Sequence, residues 1–226
     1  GMLSALQAGG DYVIGTPFGG TTTVDSGALS RTDASLITVG TSTVVLGGTN
    51  AYAGGLTDVR GGTLRVDDLS ALGGTTALAV ADGAAADIAG AGTFAGTTLA
   101  LGGRLDTDAN MSFAGGVTLS GGASGQAYVS NPAGTTTTFG PAADGGEAVT
   151  LHKEGGGELV LAGPVSNAAL TATTFQADAG TIRVAYGQDG NSGLGGSDVV
   201  LGDGTTLSLA AGYTRENGLP ASRRNS

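Results

Sequence analysis

Short runs of alternating apolar and polar residues, each closed by a Gly-Gly or Asp-Gly pair, recur along this chain and limit its fold more than any other feature. The stretch "TSTVVLGGTNAYAGGLTDVRGGTLRVDDLSALGG", residues 41 to 74, is representative. No run in it is long enough for an amphipathic helix, and the alternation is that of strands with one buried face. Glycine loses the most backbone freedom on folding, so it is costly inside helices and strands and useful at tight turns. A chain with 45 Gly in 226 residues therefore needs an architecture in which tight turns recur constantly.

The repeated unit is an alternating run, a turn on Gly or Asp-Gly, and a second alternating run. Its turns fall near Gly27, Gly61, Gly83, Gly102, Gly121, Gly145, Gly156, Gly180 and Gly204, a spacing of roughly 20 to 24 residues for the most part, which is the range of solenoid repeats. A hairpin meander would turn about every 8 to 12 residues. The longer period instead returns each strand to lie parallel on its predecessor. The pattern predicts an all-β, single-stranded right-handed parallel β-helix of about nine to eleven coils over residues 20–212. An irregular segment or cap over 1–19 precedes it and a polar tail over 213–226 follows. Alternation places Leu64 and Val66 inward and Thr63 and Arg65 outward.

Apolar residues make up 40% of the chain and occur in patterned runs, which argues against a disordered Gly/Ser/Thr linker. Nine basic residues face nineteen acidic ones, for a net charge of −10, and no basic stripe is present; nucleic acid is not an expected partner. Cysteine is absent, which excludes disulfides, thiolate metal sites and a Cys nucleophile. No export signal or membrane-spanning run is visible, and the chain reads as part of something longer.

One stretch carries a more specific signal. "VVLGGTNAYAGGLTDVRGGTLRVDDLSALGG" resembles the passenger-associated transport repeat of bacterial autotransporters through Leu46, Gly48, Asn50, Tyr52, Gly54, Gly55, Thr57, Val59, Gly62, Thr63, Leu64, Val66, Ala71, Leu72 and Gly73. Leu56, between the Gly pair and Thr57, departs from the pattern. A degraded second copy keeps Gly180, Thr181, Ile182 and Val184, with Leu194 and Gly195 echoing the Ala-Leu-Gly ending. The resemblance covers about residues 40 to 90 well and 150 to 212 moderately. It implies a β-helical passenger exported through an outer-membrane barrel and displayed at the bacterial cell surface, attached or released. The expected role is that of a non-catalytic stalk or adhesin. A protein or glycan on a host or neighbouring cell is the partner this implies. Membrane association is expected only through a barrel domain that this chain does not contain, and the state expected is a monomer with end-to-end or side-to-side self-association.

Candidate chemistry is sparse. His152, the only His, lies beside Lys153, the only Lys, and Glu154, a cluster read as a solvated turn face because consecutive strand residues do not converge. Asp67, Asp68, Asp82, Asp87, Asp106 and Asp108 could serve a polysaccharide lyase or hydrolase built on a β-helix, the alternative functional class, but nothing in the sequence sets two of them at a catalytic spacing. The pairs Asp82-Gly83, Asp144-Gly145, Asp189-Gly190 and Asp203-Gly204 read as tight turns rather than calcium ligands. The Thr tracts 21–23 and 135–138 read as outward strand positions. The expectation is therefore no catalytic residues, no metal and no cofactor.

Overall fold

The computed structural model describes residues 10–163, 170, 172–185, 194 and 197–210. The turn at Asp189-Gly190, Gly195 and the tail from 213 lie outside them. The described residues form the parallel β-helix that the repeat pattern predicts, with about eight turns where nine to eleven are expected, because the coils are longer than the shortest Gly spacings suggest. Every strand pairing among them is parallel. The strands sort into three sheets of seven, nine and six strands, of which the nine-stranded one runs from Thr21 to Leu201. The first sheet opens with Tyr12–Ile14, which pairs with Leu36–Thr38. In the second, nine-stranded sheet, strands begin at Thr21, Thr43, Thr63, Ala85, Arg104, Gln126, Val149, Thr173 and Asp198, so one coil takes 19 to 25 residues. The only helical element among the described residues is a 3₁₀ turn, Leu69–Leu72, capped by the Asp68 carboxylate.

Period-2 alternation decides what is inside. Leu64 and Val66 are buried while Thr63 and Arg65 are half-buried on the outer face, as the pattern requires. Stacking repeats this choice from coil to coil, so side chains line up in columns. One interior column runs Val24, Leu46, Val66, Ile88. Another stacks Phe94, Phe113 and Phe139, with ring centroids 5.1 and 6.1 Å apart.

The third sheet begins at Gly92–Phe94; before it, the corresponding side of the coil is closed by irregular backbone and by the 3₁₀ turn. Asn50 and Tyr52 hold this region together. The Asn50 side-chain oxygen accepts from the Leu29 N–H of the coil before, and its amide nitrogen donates to the Ala71 carbonyl of the coil after. The Tyr52 hydroxyl meets Thr57 Oγ1 at 2.8 Å, and Thr57 Oγ1 in turn meets Thr75 Oγ1 at 2.6 Å, a buried chain that ends on the Leu72 carbonyl. Burial raises the Tyr52 pKa, and the bonds to Thr57 and Thr75 only partly offset it.

Threonine is not confined to the outside. In the 135–138 tract, Thr137 points inward and is fully buried, bonded through Oγ1 to Thr107 Oγ1 at 2.6 Å, contrary to the outward reading of the whole tract. Neighbours on a strand face opposite sides, so a run of four Thr cannot all face solvent. The Asp-Gly pairs within the described residues are turns, with Gly83, Gly145 and Gly204 all at positive φ. Asp144 also ties one coil to the next: it is buried, and Oδ2 accepts from the Ala172 N–H and the Thr173 hydroxyl.

Candidate functional site

Charge concentrates on the outer face of the nine-stranded sheet. One outward column reads Thr23, Val45, Arg65, Asp87, Asp106, Ser130, Glu154. The column beside it reads Thr43, Thr63, Ala85, Arg104, Tyr128, His152, Gln176. Two arginines organise this face. Arg65 meets Asp67, just past the end of its own strand, at 3.0 Å, Asp87 one coil on, and Asp108 two coils on at 3.6 Å. Arg104 meets Asp106 at 2.9 Å and reaches two coils on to Glu154 at 2.8 Å. The bond to Asp87 holds the Arg65 pKa above its ordinary value. Burial raises the Asp106 pKa; Arg104 pulls it back, while Asp87 and Glu154 push in the same direction as burial.

His152 continues the second column. Its ring stacks on Tyr128, centroids 5.0 Å apart, and its Nδ1 lies 2.6 Å from Asp178 Oδ2 while Nε2 faces Gln126 Oε1. The imidazole thus joins three successive coils. The Asp178 carboxyl is opposed by burial, yet bonds from Gln176 and His152 leave its pKa below the ordinary value.

The cluster His152, Lys153 and Glu154 is not a solvated turn. It lies on the strand Val149–Glu154, and Lys153 is fully buried in the shaft between Val129 and Ala177. Lys153 shares the parity of Val149 and Leu151, so the strand turns it inward with them. Its ammonium donates to the carbonyls of Glu154 and Gly155 at the following corner. Burial lowers its pKa to about 8, against a smaller opposing pull from Glu154.

The structure brings Asp67, Asp87 and Asp108 together around Arg65 and sets Asp106 against Arg104. Asp87, Asp106 and Asp108 line a cleft of about 390 Å³ with Ser130 and Asn131. Asp68 is a helix cap, and Asp82 bridges to Ser124, accepting from its N–H and hydroxyl. No group of three or more His, Asp or Glu among the described residues is placed to hold a metal ion. The arginines were the residues missed by motif reasoning. Their signal was present as Arg31-x-Asp33, Asp58-x-Arg60, Arg65-x-Asp67 and Arg104-x-Asp106, since residues two apart share a strand face and can pair.

Comparison with protein-family models, curated proteins and solved structures finds no match for this chain. No described helix is long and apolar enough to cross a membrane.

Proposed function

We propose that this chain is a non-catalytic segment of a surface-displayed passenger of the autotransporter type, serving as stalk or adhesin outside a bacterial cell. The observation that carries this reading is the use made of the repeat-like residues. Asn50, Tyr52, Thr57, Ala71 and Leu72 join coil to coil through buried hydrogen bonds and apolar contact, which is the work of a scaffold. A stack of this kind adds length without changing its neighbours, because each coil contacts mainly the coils on either side. The experiment is to join the chain to an outer-membrane autotransporter barrel in a Gram-negative cell and probe intact cells with protease and antibody. Surface exposure of the folded chain is expected; retention of folded chain in the periplasm counts against the reading.

A carbohydrate-active enzyme is the second reading, favoured by the cleft in which Asp87, Asp106 and Asp108 meet and by the raised proton affinity of Asp106. A panel of polysaccharides incubated with the chain separates the two. No turnover is expected, and turnover abolished by Asp106→Asn would replace the adhesin with an enzyme.

A further inference from the structure

Along the corner between the seven-stranded and nine-stranded sheets runs a second recess, of about 560 Å³, touching residues from Gly40 and Thr41 to Ser124 and Tyr128. Those residues belong to five successive coils, so the recess is about 19 Å long at the strand spacing of about 4.8 Å. Its place on the rod has a simple cause. In the outward column Thr63, Ala85, Arg104, Tyr128, the alanine leaves a gap between longer neighbours. The corner backbone beside that gap is Gly61-Gly62 on one coil and Gly103 on another, so the floor is largely main chain. Arg60, Arg104 and Tyr128 line it as well. At one end the Asp82 loop and the Ser124 loop, two coils apart, are tied by two hydrogen bonds of 2.9 and 2.8 Å.

We propose that this slot binds a linear, uncharged oligosaccharide lying along the rod axis. The inference deepens the adhesin reading by naming a ligand class, and it rests on that reading for its biological setting. Two observations choose the class. The wall cations are already neutralised, Arg60 by Asp58 and Arg104 by Asp106 and Glu154, so the slot offers donors and acceptors side by side without net positive charge. A uronate or phosphate would meet those carboxylates in a chain of net charge −10, and a cationic sugar would meet the guanidiniums. Of the remaining wall groups, Asp82 is occupied by the N–H and hydroxyl of Ser124 and the Thr41 hydroxyl donates to the Pro17 carbonyl, while the hydroxyls of Thr63 and Tyr128 both donate and accept, which suits sugar hydroxyls. The guanidiniums are held in place by their carboxylate partners before any ligand arrives, which lowers the entropy cost of binding.

The test uses the whole 226-residue chain. Cellohexaose, xylohexaose and mannohexaose are titrated in turn and followed by amide NMR and calorimetry, with oligogalacturonate and oligoglucosamine as charged comparators. Saturable shifts are expected with at least one neutral hexaose at the amides of Gly61, Gly62, Ala85, Gly103 and Tyr128, and weaker or no binding of the charged sugars. Ala85→Phe fills the gap on an outward strand position and is expected to weaken binding about tenfold or more, while Ser112→Phe on the outer face of the third sheet leaves it unchanged. Arg60→Ala, at an exposed position, provides a second loss-of-binding variant independent of any packing change. The proposal is overturned by the absence of saturable shifts at those amides with all three neutral sugars, by equal binding in Ala85→Phe and the parent, or by preference for a charged sugar. Surface display in the barrel fusion is scored separately, so a displayed chain that binds no sugar sinks this inference and leaves the scaffold reading standing.

Discussion

Replacing Lys153 by Met should change how stability depends on pH, in a direction the buried ammonium dictates. In the folded chain Lys153 loses its proton near pH 8, whereas an unfolded lysine does so near 10.5. Below pH 8 both states are protonated, and the folded state carries the full cost of a charge in an apolar shaft, about 3.5 kcal/mol at about 1.4 kcal/mol for each pKa unit between 10.5 and 8. Between 8 and 10.5 the unfolded state binds more protons, so the parent gains stability as pH rises and the cost fades. Met has a similar volume and no charge, so the variant lacks this dependence, although the carbonyls of Glu154 and Gly155 lose a donor. The measurement is urea unfolding of both proteins from pH 7.5 to 9.5. Parent stability should rise by about 2 kcal/mol relative to the variant across that interval. The raised pKa of Tyr52 works the other way, its contribution being lost above about pH 10, but it is common to both proteins and cancels. Parallel profiles for the two proteins would refute the reasoning and place the Lys153 ammonium in water.

Asn50→Ala leaves the Leu29 N–H and the Ala71 carbonyl without partners in a buried seam, and should cost about 2 to 4 kcal/mol in chemical unfolding. Two glycines with nearly the same backbone should respond differently to alanine. At Gly62, φ +68, the new Cβ would lie 2.2 Å from the Ser42 carbonyl oxygen, and at Gly83, φ +75, it would meet nothing within 4 Å. Gly83→Ala is therefore expected to cost about 1 to 2 kcal/mol, the strain of the left-handed region alone, and Gly62→Ala clearly more, as read from urea midpoints. Hydrogen exchange should be faster in Thr206–Leu209 than in Thr63–Val66, because Leu201 and Leu209 are 47% and 42% exposed at one end of the stack while Leu64 is fully buried. Equal protection of the two strands would count against an open end.

Much of the architecture was legible from residue order. Gly pairs at roughly twenty-residue intervals, with period-2 runs between them, admit a coil of parallel strands and little else. Two inward polar side chains follow from parity as well. Val149, Leu151 and Lys153 occupy alternate positions of one strand, so the lysine had to turn inward with its apolar neighbours, and the presence of three polar residues in a row concealed it. The same rule turns Thr137 into the shaft within a run of four threonines. The four Arg/Asp pairs spaced two apart were equally open to reading.

Alternation and turn chemistry are local properties of the chain, and from them alone followed the coiled parallel fold and the inward and outward sets. Which coil meets which was settled only in three dimensions. With 19 to 25 residues per coil, small differences in corner length set whether Arg104 reaches Glu154 two coils on, whether His152 stacks on Tyr128, and whether Ala85 falls between larger side chains to open a slot. Cross-coil register depends on the packing of every corner at once, and no short stretch of sequence contains that sum.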